Sequence, residues 1–171
     1  MSFKQFLKEY QQNLQPFLEQ FFEKEERLAS KISDCSVQQL RILRDFLTGG
    51  KRSRGALIVL GYLCTGGKEN DEIIKTSLAI EIQHGALLIH DDIIDSDDLR
   101  HGKPAIHRQY EEIHQSKTLQ GDSAHFGIAM GIDEGDVGIF LALKILAGAR
   151  FDPLLKEKAF GTWSDFLLKT A

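Results

Sequence analysis

Residues 79–98 of this chain read AIEIQHGALLIHDDIIDSDD, and this stretch decides the fold. Its first half is too apolar to face water on all sides, so we expect a buried helix that begins near residue 71 and carries carboxylates at its end. At roughly 100° per residue, Asp91, Asp92 and Asp95 fall within an arc of about 100° on one face. The sequence therefore predicts three carboxylates in one small patch.

Such a patch is costly without a partner, because neighbouring carboxylates raise one another's pKa and resist burial. A divalent cation removes this cost. Oxygen ligands without His or Cys suit a hard ion, and Mg²⁺ in particular takes one or two carboxylates and completes its shell with water and substrate phosphate. We therefore predict that Asp91, Asp92 and Asp95 hold Mg²⁺ beside a diphosphate. The alternative is a solvated acidic helix end.

A basic segment precedes this helix. Residues 49–55 read GGKRSRG and lead directly into the apolar run ALIVLGYL at residues 56–63. The glycine pair lets the backbone approach a ligand, and a helix start adds positive potential of its own. Helix starts normally favour acidic residues, so the three cations Lys51, Arg52 and Arg54 oppose the helix dipole unless an anion binds there. An anion site is one interpretation, and a solvated basic turn is the other.

Two further features flank the acidic patch. His84 lies seven residues before Asp91, on nearly the same helix face, although a lone histidine on an apolar helix is more often a core residue than a ligand. After the patch, residues 100–104 read RHGKP, a basic turn from which Pro104 is expected to begin a helix.

The rest of the chain also has helical periodicity. Pro16 is expected to kink or restart the first helix, whose apolar stripe consists of Phe3, Phe6, Leu7, Tyr10, Leu14, Phe17, Leu18, Phe21 and Phe22. Asp133, Glu134 and Asp136 interrupt an apolar segment, so they face solvent or a cavity, or the helix breaks there. Another helix is expected from Asp152 onward. With no convincing strand pattern, we predict one all-α domain over residues 1–171.

Composition limits the possible functions. The 171 residues carry a net charge of −4, and no lysine-rich tail suggests a nucleic-acid partner. Cys35 and Cys64 lack the spacing of a zinc site or a disulfide framework. No signal peptide and no transmembrane segment is apparent, so we expect a cytoplasmic protein.

As a set, four motifs resemble the trans-polyprenyl diphosphate synthase family, whose enzymes make geranyl, farnesyl, geranylgeranyl and longer diphosphates. The motifs are GGKRSR at residues 49–54, EIQH at 81–84, DDIID at 91–95 and DLRHGKP at 98–104. The resemblance implies an isoprenoid-synthase-type helical bundle around a central cavity, usually a homodimer, with isopentenyl diphosphate and an allylic diphosphate as substrates and Mg²⁺ as cofactor.

The resemblance also implies roles for individual residues. Asp91, Asp92 and Asp95 match the first aspartate-rich motif, in which Asp91 and Asp95 are expected to be the direct metal ligands. The residues that match the isopentenyl diphosphate contacts are Lys51, Arg54, His84 and, in place of a usual second arginine, His101. Arg100 matches the arginine that holds the allylic diphosphate.

Several positions depart from the family pattern. Gly55 replaces the usual proline and is expected to loosen the helix start, and Asp133 and Glu134 stand where the family is apolar or small. The 171 residues end before the second aspartate-rich motif, so we expect the N-terminal portion of a synthase domain, truncated before its C-terminal helices. Ala86 and Leu87, where short-chain enzymes have a bulky aromatic residue, favour a geranylgeranyl or longer product over a farnesyl product.

Two other functions fit part of the pattern. A non-catalytic subunit that dimerises with a complete synthase would explain the missing second motif. A terpene cyclase shares the DDxxD motif but does not need an isopentenyl diphosphate site, which Lys51, Arg54 and His84 resemble. We therefore favour a prenyl-elongating transferase.

Overall fold

A computed structural model describes residues 2–68 and 70–170, except for the side chains of residues 167–170. Helices dominate this part of the chain, which confirms the all-α prediction. The helices are α1 (Phe3–Ala29), α2 (Asp34–Leu47), α3 (Ser53–Cys64), α4 (Asp71–Ile94), α5 (Ile106–Ser116), α6 (Ser123–Gly148) and α7 (Pro153–Thr170). Two short strands, β1 (Leu99–Arg100) and β2 (Lys103–Pro104), lie between α4 and α5.

Helix α1 begins with a capping box and runs without a break. The Ser2 hydroxyl accepts the Gln5 N–H, and the Gln5 side chain accepts the Ser2 N–H. The predicted stripe is buried at one-turn intervals, at Tyr10, Leu14, Leu18 and Phe22. Pro16 lies within the continuous helix and does not restart it.

Helix α4 is the central element and contacts α1, α2, α3, α5 and α6. Its start is fixed by Asn70, whose side chain accepts the N–H groups of Glu72 and Ile73. Because neighbours surround it, apolar residues are buried on several of its faces, as the sequence of residues 79–89 predicts.

Helix α6 approaches α4 and α5 closely through glycines. A Cβ atom at Gly127 would overlap the His107 carbonyl oxygen, and one at Gly138 would lie 2.8 Å from the Ala86 Cβ atom. The acids at 133, 134 and 136 do not break the helix. Glu134 does not face solvent: it is fully buried, and the Tyr110 hydroxyl donates a hydrogen bond to its carboxyl group.

A short antiparallel hairpin follows α4 and corrects two expectations. Leu99 pairs with Pro104 and Arg100 with Lys103, so strands do form, and Pro104 ends a strand while α5 begins at Ile106. His101 and Gly102 have φ values of 52° and 77°, which are typical of the two central residues of a type I′ turn. The hairpin turns the chain back toward α4 and places Arg100 and His101 beside it.

Two further features concern the cysteines and the hydrophobicity of the helices. Both cysteines, Cys35 and Cys64, are exposed free thiols. Among the described residues, no helix has the combined length and hydrophobicity needed to cross a membrane.

Candidate functional site

A cavity of about 320 Å³ lies where α1, the end of α2, the start of α3, the middle of α4 and the hairpin meet. Five sequence-predicted substrate residues line it together, although they are as many as 50 positions apart in the printed sequence. These residues are Lys51, Arg54, His84, Arg100 and His101. Apolar side chains that include Leu18, Leu47, Leu78, Ile82 and Leu88 form much of the remaining wall. A cation-rich rim therefore adjoins an apolar interior.

The basic turn enters α3 through an unusual conformation. Arg52 occupies the N-cap position with a φ of 53°, and its side chain makes no capping hydrogen bond. The left-handed region is unfavourable for a residue with a Cβ atom, so the surrounding structure must hold it there. Arg52 is buried, whereas Lys51 and Arg54 are exposed. Burial lowers the pKa of the Arg52 guanidinium, while the Glu81 carboxylate counteracts this effect.

Glu81 of α4 supplies the capping contact that Arg52 does not make. Its carboxylate accepts the N–H of Gly55, which belongs to the first turn of α3. Burial raises the pKa of Glu81, opposed by the Gly55 N–H and the charges of Arg52 and Arg54. Glu81 belongs to the EIQH motif, but only His84 of that motif was predicted to be functional. Its position three residues before His84, on the same helix face, was the available signal.

His84 lies half-buried between cationic side chains. Burial lowers its pKa, the charges of Arg54 and Arg100 act in the same direction, and Asp91 counteracts them. The lowered pKa favours the neutral imidazole, which can donate or accept a hydrogen bond in the cavity.

Asp92 does not share a surface with the other two aspartates of its motif. Its side chain is only 1% exposed, and its Oδ1 atom accepts hydrogen bonds from Nε of Arg100, at 2.8 Å, and from Nη2. Its Oδ2 atom is buried without a hydrogen-bond partner. The expected single patch of three carboxylates is thus divided: Asp92 points into the bundle and fixes Arg100, and Asp91 and Asp95 remain exposed.

Asp91 and Asp95 continue the cavity-lining face of α4 beyond His84 and Leu88. They lie at its C-terminal end, where the helix dipole favours a cation and where no basic residue occupies the last turn. No group of three His, Cys, Asp or Glu residues within the described part of the chain could hold a metal ion. Two neighbouring carboxylates still suit Mg²⁺, which often takes its other ligands from water and substrate phosphates.

The Arg100 pairing leads to a stability prediction. Replacing Arg100 with alanine leaves the buried Asp92 carboxylate without its hydrogen-bond donors, and we expect a loss of free energy of unfolding on the order of 2 kcal/mol. Urea unfolding at pH 7 measures it. In the Asp92→Ala background the same substitution is expected to cost much less, because no carboxylate remains to be paired. Equal costs in both backgrounds would contradict the pairing.

The fold and the site together define an all-α bundle with a cation-lined cavity and adjacent exposed carboxylates. A family model described as polyprenyl synthetase matches residues 38–171. The chain belongs to this family, which confirms the resemblance seen in its sequence.

Individual relatives agree with this assignment. The chain is 30% identical over 125 residues to a geranylgeranyl diphosphate synthase of Methanosarcina mazei, an alignment that covers 71% of this chain and 36% of that protein. It is 42% identical over 83 residues to a farnesyl diphosphate synthase of Bacillus subtilis, covering 47% of this chain and 27% of that protein.

Solved structures show the same fold. The geranylgeranyl pyrophosphate synthase of Corynebacterium glutamicum, complexed with isoprenyl diphosphate and magnesium, superposes with a TM-score of 0.78 at 29% identity. The match covers 90% of this chain and 43% of that chain. This chain therefore spans less than half the length of that synthase.

Proposed function

We propose that this chain acts in prenyl transfer, binding isopentenyl diphosphate and an allylic diphosphate as a polyprenyl diphosphate synthase does. The observation that carries the proposal is the convergence of Lys51, Arg54, His84, Arg100 and His101 on one cavity beside Asp91 and Asp95. Fixed cations next to exposed carboxylates suit a magnesium diphosphate, in which the metal neutralises part of the anion's charge.

The basic side chains would hold the two diphosphates. Lys51, Arg54, His84 and His101 are proposed to contact isopentenyl diphosphate, and the His84 imidazole would donate a hydrogen bond to a phosphate oxygen. Arg100, held in place by Asp92, is proposed to bind the allylic diphosphate. Arginine suits this role because its planar donors match phosphate oxygens in pairs.

Asp91 and Asp95 are proposed to hold Mg²⁺, which would supply charge stabilisation as pyrophosphate leaves the allylic substrate. Lys51, Arg54 and Arg100 would add fixed positive charge around the departing oxygens. The apolar wall, including Leu78 and Ile82, would exclude water from the allylic cation until the double bond of isopentenyl diphosphate attacks it. Loss of a proton then completes the new double bond.

We propose a geranylgeranyl or longer product and a homodimeric assembly. Ala86 is fully buried, and its Cβ atom lies close to Gly138 of α6, away from the cation-lined cavity. The geranylgeranyl or longer product therefore rests on the resemblance and not on a residue seen to line the cavity. Helix α6 exposes Ile128, Ile132 and Phe140, which a second copy would cover in the proposed homodimer.

The direct test is incorporation of labelled isopentenyl diphosphate into extractable prenyl product by the purified 171-residue chain, with farnesyl diphosphate as primer and with or without Mg²⁺. We expect Mg²⁺-dependent turnover. Diphosphate binding without turnover would instead favour the non-catalytic subunit. If neither isopentenyl diphosphate nor pyrophosphate binds, the proposed site is wrong.

A further inference from the structure

The start of α3 lacks the usual means of stabilising a helix N-terminus. Its N-cap residue, Arg52, has a left-handed backbone and offers no side-chain acceptor to the free N–H groups of the first turn. The same turn carries Lys51 and Arg54 at the cavity. Contacts from outside α3 must therefore fix the backbone on which these two cations are mounted.

One of these contacts comes from α4. The Glu81 carboxylate accepts the Gly55 N–H and thus replaces the missing N-cap side chain. It also lies close enough to the guanidinium groups of Arg52 and Arg54 for their charges to act on it. Glu81 is therefore tied to α3 by a charge-assisted hydrogen bond and by two opposite charges.

Further contacts come from α1, whose residues 3–29 lie outside the part of the chain that matches the family model. The Tyr10 hydroxyl is 2.8 Å from Ser77 Oγ. The Ser77 hydroxyl donates its proton to the Ile74 carbonyl at 2.7 Å, so Tyr10 is the donor in its hydrogen bond with Ser77. The neighbouring Gln11 side chain donates to the Lys51 carbonyl at 2.7 Å. Helix α1 thus touches the basic turn directly.

Gly55 is where the contacts from α1 and α4 converge. A Cβ atom at this position would overlap the Tyr10 hydroxyl oxygen and lie 3.0 Å from Tyr10 Cζ and 3.1 Å from Glu81 Cγ. Proline, the usual family residue, would bring a Cβ atom and lack the N–H that Glu81 accepts. Gly55 therefore does not loosen the helix start. Tyr10 occupies the space where a Cβ atom would lie, and Glu81 accepts the N–H group that proline would lack.

We propose that Tyr10 and Glu81, here called the α3 clamp, are positioning residues that hold the first turn of α3 so that Lys51 and Arg54 bind diphosphate. The inference rests on the proposed function, since it concerns the same anion site. It adds a role for α1, and it explains why glycine replaces proline at position 55.

The test measures the affinity of the 171-residue chain for inorganic pyrophosphate with Mg²⁺ by isothermal titration calorimetry. Gly55→Ala is expected to weaken binding about tenfold by displacing the turn, and Glu81→Ala to have a similar effect by removing its cap. Glu81→Gln retains an oxygen that accepts the Gly55 N–H and is expected to bind within about threefold of the wild type. Tyr10→Phe removes the hydroxyl that a new Cβ atom would overlap but keeps the ring and Glu81 beside it, so adding this substitution to Gly55→Ala should restore only part of the affinity.

Gly61→Ala is the matched control, because Gly61 lies in the same helix and a Cβ atom there meets nothing within 4 Å. It should leave the affinity unchanged. Thermal unfolding of every variant separates a displaced turn from an unfolded protein. Equal affinities of the wild type, Gly55→Ala and Glu81→Ala would overturn the role of the α3 clamp but not the proposed function. The same conclusion would follow if Glu81→Gln lost as much affinity as Glu81→Ala. If the wild-type chain does not bind pyrophosphate, the proposed function itself is overturned.

Discussion

Replacing Asp91 and Asp95 together with alanine is expected to abolish Mg²⁺-dependent binding of an allylic diphosphate. These two carboxylates are exposed at the end of α4, whereas the third aspartate of the motif, Asp92, is buried and already accepts hydrogen bonds from Arg100. The double variant therefore removes the exposed carboxylates that could coordinate the metal within this motif. Titration of farnesyl diphosphate into the chain, with and without Mg²⁺, measures the effect.

The control for this experiment must lose the same charge elsewhere. Glu157→Ala with Asp165→Ala removes two exposed acids of α7 and should leave Mg²⁺-dependent binding intact. Asp92→Ala should retain part of the Mg²⁺ dependence, because it leaves both exposed ligands in place. Undiminished Mg²⁺-dependent binding in the Asp91→Ala and Asp95→Ala double variant would show that the metal binds somewhere else.

Local signals were sufficient to predict much of this architecture. The start of α4 near residue 71 and the carboxylates at its end follow from the local sequence, and the structure confirms both. The five cavity residues could be proposed because their motifs resemble a family in which such residues meet. Periodicity alone would not have brought Lys51 and Arg100 together, since their meeting depends on how α3, α4 and the hairpin pack.

The features that sequence reasoning missed depend on contacts between distant residues. Asp92 follows Gly85 and Ile89 on a buried face of α4, and the hairpin brings Arg100 to that face to donate hydrogen bonds to its carboxylate. Strands of two residues are too short to show an alternating pattern. Tyr10 meets Gly55 only because α1 packs across α3 and α4, and nothing near either residue in the sequence indicates that contact.

The burial of Glu134 also depends on contacts between distant residues, and it has a measurable consequence. Complete burial, reinforced by the nearby Asp133 charge, raises the pKa of its carboxyl group from 4.5 to about 8, although the Tyr110 hydrogen bond counteracts the shift. A carboxyl group that binds its proton more tightly in the folded state stabilises the protein most below its unfolded pKa. That stabilisation is lost as the pH rises toward 8.

As the pH rises from 4.5 to 8, the titration of Glu134 should lower the free energy of unfolding by on the order of 4 kcal/mol. Glu134→Gln removes the titration while keeping the shape and an acceptor for Tyr110. Urea unfolding at pH 5, 6.5 and 8 should therefore find the variant close to the wild type at the lowest pH and clearly more stable at the highest.

The comparison isolates Glu134 because the other titratable groups around α6 are the same in both proteins. Asp133 accepts a hydrogen bond from Gln39, and Asp136 lies 3.7 Å from Nε2 of His90. From α5, His107 packs against Gly131 of α6. Glu112→Gln, an exposed substitution on α5, is the control for the loss of one acidic side chain. If the difference between Glu134→Gln and the wild type does not change with pH, Glu134 ionises as freely in the folded chain as in the unfolded one, which contradicts its burial against Tyr110.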